Sequence, residues 1–142
     1  MAIARILVGV DGSTYSAGAL AWAAELAGAL DAEVIAVHGA GLLSDLHEGA
    51  PTPTAGHHGE LVAAVHRWCR PLREAGARHR EVVADGPPTL VILRVAAERD
   101  ADLVVVGTRG RGGAPGLLLG STSHQVLQLS DRPVTVVPAR SP

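Results

Sequence analysis

At 142 residues the chain is long enough to form one domain with a sizeable hydrophobic core, and we expect residues 1–142 to form that single domain. The formal net charge of −2 lacks the basic excess that is typical of nucleic-acid binders. All twelve basic residues are arginine, which excludes a phosphate-binding lysine of the Walker type.

The cysteine content and the apolar runs predict a soluble cytoplasmic protein that binds neither a membrane nor nucleic acid. Cys69 is the sole cysteine, which excludes an intrachain disulfide and favours a reducing compartment. The apolar run after Arg5 stops at Asp11, which is short for a signal sequence. No run reaches the roughly 18 apolar residues of a membrane span.

Short β-branched runs alternate along the chain with segments of helical character. Strands are expected at 5–10, 33–38, 80–84, 102–107 and 133–138. Helices are expected at 13–30, 59–76, 87–101 and from about 121. Most of the β-branched runs are continuous, which is typical of parallel strands buried on both faces. The pattern therefore predicts a doubly wound α/β fold with helices on both faces of an open parallel sheet.

Several residues predict where the helices begin, bend and end. Either Ser13 or Ser16 is expected to cap the first helix. Pro71 predicts a kink or an early stop in the second helix, and Gly76 is expected at its end. In the third helix a shared face is expected for Leu90, Leu93 and Ala97, and in the fourth for Thr122, Val126 and Leu129. Residues 39–58 are expected to form an irregular surface loop.

Two predicted strand ends carry unusual residues. The first strand runs into Asp11 in the sequence VDGS, and the fourth runs into the glycine-rich stretch GTRGRGGAPGLLLGSTS, residues 107–123. Ligands of open α/β sheets bind at such carboxyl ends, where the strand order reverses. The stretch ends at the start of a helix, whose unpaired N–H groups suit a phosphate.

The glycine-rich stretch has a definite spacing. Two residues separate Gly107 from Gly110, and nine more precede Gly120 and Ser121. Ser121 and Ser123 add hydroxyl donors, while Arg109 is expected either to pair with phosphates or to stay solvated. Asp11 is expected to act as a turn residue, to accept from a ribose hydroxyl, or to help hold phosphate-bound Mg²⁺ through its water.

The segments ILVGVDGS, DADLVVVGTRGRGG and GSTSHQVLQLSDRPVTVVP together resemble the universal stress protein family, over about residues 3–138. The spacing of the glycine-rich stretch matches the family's ATP-binding pattern G-x2-G-x9-G-S/T. The resemblance implies five parallel strands in the order 3-2-1-4-5 and a homodimer through strand 133–138. It also implies bound ATP, or AMP or ADP, with Mg²⁺ held through the phosphates.

The resemblance carries functional positions onto this chain. Asp11 matches the acidic residue near the adenosine, and the backbone near Gly39 matches the part that meets adenine. The candidate cofactor-binding residues are Asp11, Gly39, Gly107, Arg109, Gly110, Gly120, Ser121, Thr122 and Ser123. The expected function is that of an ATP-binding stress-response regulatory protein.

Two other functions stay open from the sequence. One is a ligand-free interaction module of the same fold. The other is a dinucleotide- or flavin-dependent oxidoreductase, but neither loop meets the G-x-G-x-x-G spacing that such enzymes need. No residue stands out as a catalytic base, so we expect slow ATP hydrolysis at most. The pair His57-His58 matches no zinc-binding pattern and is expected to be solvated.

Overall fold

The computed structural model describes residues 2–41, 55–109 and 119–139, and within them five parallel strands form one sheet. The strands are β1 (Arg5–Gly9), β2 (Glu33–Gly39), β3 (His79–Ala84), β4 (Leu103–Gly107) and β5 (Val134–Val137). Their order is β3-β2-β1-β4-β5, and all neighbouring pairs are parallel. The predicted fold class and strand order are confirmed. The point of reversal lies between β1 and β4.

The helices of the described residues connect successive strands. They are α1 (Thr14–Leu30), α2 (Ala55–Trp68), α3 (Arg70–Glu74), α4 (Pro88–Glu98) and α5 (Ser121–Leu129). None of them is both long and apolar enough to cross a membrane. The predicted alternation of strands and helices is confirmed.

The segment expected to be one helix at 59–76 is instead two helices. The chain breaks at Cys69, and Pro71 lies in the first turn of α3, where its missing N–H costs no helical hydrogen bond. Gly76 follows this helix with a φ of +68°, as expected of a helix-ending glycine. The first helix of the pair begins at Ala55, so the end of the expected loop 39–58 is helical. Residues 42–54 of that loop lie outside the described part.

The two faces of the sheet pack against different helices. Ile6 and Val8 of β1 lie in a cluster with the small side chains of α1, whereas Leu7 lies in a second cluster with Val91 and Val126 of α4 and α5. Side chains alternate between the faces along a strand, so each strand needs apolar residues at consecutive positions. This burial explains the continuous β-branched runs of the sequence.

The helix faces expected from the sequence coincide only in part with the buried faces of α4 and α5. In α4 the buried residues include Val91, Ile92 and Val95, while Leu90 is 59% exposed. In α5 Val126 is buried, but Leu129 is 62% exposed. Apolar residues in α4 occupy two adjacent stripes, so the helical period alone does not decide which stripe faces the sheet.

Side chains form hydrogen bonds and ion pairs at the amino-terminal edge of the sheet, which is the end where the parallel strands begin. Oδ2 of Asp102 accepts hydrogen bonds from the N–H groups of Ala4 at 2.8 Å and Arg5 at 3.0 Å, which ties the start of β1 to the start of β4. These two bonds hold the pKa of Asp102 below its ordinary value of 3.8. Arg80 also pairs with Glu33 at 3.1 Å across β3 and β2.

A small polar cluster lies where α2, α3 and β3 meet. The carboxylate of Glu81 contacts His66 Nδ1 and His79 Nε2, each at 3.0 Å. Burial raises the pKa of Glu81, but the two histidine contacts outweigh it and leave the pKa below its ordinary value. Burial and the neighbouring Glu81 raise the pKa of Cys69 to about 12, against the smaller effect of Arg73. Cys69 is therefore a buried, unreactive thiol.

Candidate functional site

A cleft opens at the carboxyl ends of β1, β2 and β4, where the strand order reverses. Its walls are completed by the first turns of α4 and α5 and by Ser16 of α1. Of the candidate cofactor-binding residues, it brings together Asp11, Gly39, Gly107, Arg109, Thr122 and Ser123. This is the place where open α/β sheets bind their ligands.

On the side of α1, local hydrogen bonds hold Asp11. Its Oδ1 accepts from the N–H of Ser13 at 2.9 Å, and its own N–H donates to Oγ of Ser16 at 3.3 Å. Ser13 caps α1, because its Oγ accepts from the N–H of Ser16 at 3.1 Å. Gly12 adopts a φ of +81° in this tight turn. Ser13 is thus the cap, and Asp11 combines the turn role with a place in the cleft.

On the other side of the cleft, no described side chain caps the start of α5. Gly120 precedes the helix in extended backbone, and its N–H donates to the carbonyl oxygen of Thr108 at 2.7 Å. The N–H of His124 makes the first helical bond, to Gly120 at 3.0 Å. The N–H groups of Thr122 and Ser123 precede that bond and have no acceptor within the helix. Together with the positive end of the helix dipole, they suit an anion.

Two glycines let helices approach the cleft closely. A Cβ added to Gly107 would lie 2.8 Å from the carbonyl oxygen of Tyr15, which is backbone of α1. One added to Gly39 would lie 2.8 Å from Cα of Pro88 at the start of α4. Real side chains essentially never come so close to backbone atoms. Helix packing at the cleft therefore requires both glycines, whatever the cleft binds.

The remaining wall is apolar. Val37 and Val106 come from the ends of β2 and β4, and Pro88 and Ile92 from the first two turns of α4. An apolar wall beside a few convergent polar groups is typical of a small-molecule site. Arg109 brings a positive charge and Asp11 a carboxylate to the same cleft. The arrangement suits a molecule with a flat apolar part and an anionic part.

Two expected residues, Ser121 and Ser123, differ in their placement from the prediction. Ser121 is exposed at the first position of α5 and does not line the cleft. Ser123 lines it, but its hydroxyl donates to the carbonyl oxygen of Gly107 at 2.6 Å, so this proton binds the strand end to the helix. Gly110 lies outside the described residues. Within those residues, His57 and His58 are exposed, and no three His, Cys, Asp or Glu side chains could hold a metal ion.

One titratable residue of the cleft, His38, was not predicted from the sequence. His38, near the end of β2, lines the cleft, and its Nδ1 lies 2.8 Å from the carbonyl oxygen of Val10. The signal for it is a polar side chain after the buried run Val34–Val37, directly before Gly39. A polar residue at the carboxyl end of a buried parallel strand faces the edge where ligands bind.

Comparisons of the sequence point to one family. The model of the universal stress protein family matches residues 2–138. Universal stress protein YxiE of Bacillus subtilis is 34% identical, and the alignment covers 94% of this chain and 97% of that protein. Universal stress protein Rv2623 of Mycobacterium tuberculosis is 38% identical over 94% of this chain, but over only 44% of its own length. The chain thus spans nearly all of one relative and less than half of another.

A solved structure agrees in fold. A universal stress protein crystallised in complex with cAMP superimposes with a TM-score of 0.77 at 27% sequence identity. The match covers 99% of this chain and 100% of that one.

Proposed function

Since the chain belongs to the universal stress protein family, we propose that it is an ATP-binding stress-response regulatory protein with its nucleotide in the cleft between β1 and β4. The observation that carries this proposal is the start of α5, which no described side chain caps and which lines the cleft together with Asp11. A helix start without a side-chain cap keeps its N–H donors and its dipole for an anion.

The phosphates would contact the backbone N–H groups of Thr122 and Ser123 and the guanidinium of Arg109. The sequence spacing of Gly107, Gly110, Gly120 and Ser121 supports this assignment, because it is the phosphate-loop pattern of the family. Ser121 would contribute as the first residue of α5 rather than as a wall of the cleft.

The nucleoside would lie toward β2 and α4. Val37, Pro88 and Ile92 form an apolar surface suited to the face of a base, and the backbone at Gly39 lies beside it. Asp11 would accept from a ribose hydroxyl or hold the water of a phosphate-bound Mg²⁺. The related structure solved with cAMP supports an adenine nucleotide, whether ATP, ADP or AMP.

We also expect a single cytoplasmic domain that forms a homodimer through strand 133–138. Among the described strands, β5 is an edge of the sheet and pairs with β4 alone. Its residues Val134–Val137 carry no charge, which leaves the edge open to pairing with a second copy. Sedimentation velocity of the purified chain tests this expectation. Pro133 and Val137 bond to β4, so the backbone N–H of Val136, which alternates with them, points away from β4 toward the open edge. Val136→Pro should therefore shift a dimer to the monomer, and a monomeric wild type contradicts the expectation.

The nucleotide is expected to be held rather than rapidly turned over. Efficient hydrolysis needs a group that orients the attacking water. Among the described lining residues, Asp11 is the one carboxylate, and its Oδ1 already accepts from Ser13. We therefore expect slow hydrolysis at most.

The proposal is tested by titrating the stripped protein with Mg-ATP in a calorimeter, with AMP and NAD⁺ as comparison ligands. We expect saturable binding of ATP at sub-millimolar concentration and none of NAD⁺. Absence of adenine-nucleotide binding would leave the ligand-free interaction module as the better description. A chromophore that copurifies and absorbs visible light would instead favour the oxidoreductase.

A further inference from the structure

His38 makes an unusual hydrogen bond from the end of one strand to the end of its neighbour. Its Nδ1 lies 2.8 Å from the carbonyl oxygen of Val10. A carbonyl oxygen only accepts, so the ring proton that makes this bond is on Nδ1. The side chain therefore acts as a donor from β2 to the segment that follows β1.

This bond completes the attachment of Val10. Regular pairing of β1 with β2 ends at Gly9, which lies opposite Val37. The N–H of Val10 still donates to the carbonyl oxygen of Val37 at 2.9 Å. With the His38 bond, both backbone polar groups of Val10 are held by β2. The next residue along the chain is Asp11, the carboxylate of the cleft.

A second contact restricts the His38 ring. The ring meets the indole of Trp68 edge to face, with centroids 5.3 Å apart and planes 75° apart. Trp68 is the last residue of α2 and packs against the main hydrophobic cluster. Trp68 is held by this packing, and its contact with the imidazole restricts the orientation of the His38 ring. The Nδ1 donor therefore has a defined direction.

We propose that His38 is a positioning residue, which holds the backbone of Val10 so that Asp11 is presented to the nucleotide. The inference rests on the proposed nucleotide binding for its functional part. Its structural part, the clamp on Val10, does not depend on any ligand. His38 acts through Asp11 and is assigned no contact with the nucleotide.

Three substitutions separate the donor from the bulk of the ring. His38→Asn keeps an N–H donor at the δ position, His38→Gln moves the donor one bond outward, and His38→Leu keeps bulk without a donor. Loss of one hydrogen bond corresponds to a roughly three- to tenfold effect. We expect His38→Gln and His38→Leu to weaken Mg-ATP binding by about that factor, and His38→Asn to stay within about twofold of wild type. His58→Leu, at an exposed histidine of α2, serves as the control.

Amide hydrogen exchange in the ligand-free protein gives the second readout. The amides of Asp11 and Gly12 should exchange about three- to tenfold faster in His38→Leu and near the wild-type rate in His38→Asn, while amides of β4 stay unchanged. Unchanged exchange at Asp11 in His38→Leu overturns the clamp. Wild-type affinity in His38→Leu overturns the positioning role. Failure of the wild type itself to bind ATP refutes the proposed function, and the exchange rates still decide the clamp.

Discussion

The backbone polar groups at the two ends of the parallel strands, which form the amino-terminal and carboxyl-terminal edges of the sheet, are bonded in opposite ways. At the amino-terminal edge, the carboxylate of Asp102 accepts from the first two N–H groups of the β1 region. At the carboxyl-terminal edge, the N–H groups at the start of α5 have no described side-chain acceptor. Both edges belong to the same sheet, so the difference follows from local sequence rather than from the fold.

Under the proposed function, this contrast separates residues that stabilise the fold from residues that would bind the nucleotide. Capping a helix with Ser, Asp or Asn is easy and stabilising, and the chain does so at α1 with Ser13. At α5 it has glycine instead. We therefore expect changes at the amino-terminal edge to alter stability and changes at the start of α5 to alter binding.

The largest effect is expected from capping α5 with a charge. In Gly120→Asp the carboxylate would accept from the N–H groups of the first turn and would repel a phosphate. We expect nucleotide affinity to fall by about a hundredfold or more, because each lost charge-assisted hydrogen bond contributes about 1.5–3 kcal/mol. Calorimetric titration with Mg-ATP measures this loss.

Gly59→Asp is the matched control for that variant. Gly59 is exposed in α2, and a Cβ added there meets no atom within 4 Å. The Gly59→Asp variant carries the same added charge as Gly120→Asp, but away from the cleft, and should bind ATP as the wild type does. Equal affinity of Gly120→Asp and Gly59→Asp would remove the contrast between the two edges.

A smaller effect is expected from opening the amino-terminal edge. Asp102→Ala removes the acceptor of the Ala4 and Arg5 N–H groups, which water then reaches, so the free energy of unfolding should fall by about 1 kcal/mol. Mg-ATP affinity should stay within about twofold of wild type. Urea unfolding at pH 7 measures the stability. A loss of binding free energy as large as the loss of stability would show that a change at the amino-terminal edge affects binding at the carboxyl-terminal edge.

The difference in the free energy of unfolding between the wild type and Asp102→Ala should depend on pH. Its pKa lies below the ordinary 3.8 in the folded protein, so the ionised carboxylate stabilises the fold above that pH. This stabilisation is lost as the pH falls through the lowered pKa. Wild type and Asp102→Ala should therefore converge in stability under acid conditions, and a gap that does not narrow as the pH falls below 3.8 would exclude the carboxylate as its cause.

The smallest effect on binding is expected from a substitution of Ser13, which caps α1 beside the cleft. Ser13→Ala removes the acceptor of the Ser16 N–H and should lower the free energy of unfolding by about 1 kcal/mol. Because Ser13 does not line the cleft, ATP affinity should change less than twofold. Thermal unfolding of the variant checks the expected loss of stability, and titration of the same preparation with Mg-ATP checks the unchanged affinity. A tenfold loss of affinity without loss of stability would assign Ser13 to binding.

The fold was predictable because its signals are repeated along the chain. Continuous β-branched runs mark each buried strand, and the break at Cys69 follows from the proline two residues later. The buried face of α4 was not predictable, because Leu90 and Val91 are equally apolar and only the packing of the helix on the sheet distinguishes them.

The position of the candidate cleft was predictable from the sequence, but the contacts of its residues were less so. Spacing and strand order put Asp11, Gly107 and Thr122 at one edge, and the structure brings them to one cleft. The hydroxyl of Ser123 could bond to phosphate or to backbone, and only the geometry shows that it donates to Gly107. His38 was missed because its partner, the carbonyl of Val10, is 28 residues away in sequence.

Binding of an adenine nucleotide with its phosphates at the start of α5 is the expectation on which the other predictions for the cleft depend. The most direct test is a titration of ¹⁵N-labelled protein with Mg-ATP, followed by the amide resonances of both edges. We predict the largest shifts at Thr122, Ser123 and Arg109, with Asp11 also affected and Arg5 unchanged. Shifts that are absent, or that concentrate at the amino-terminal edge, would contradict this expectation.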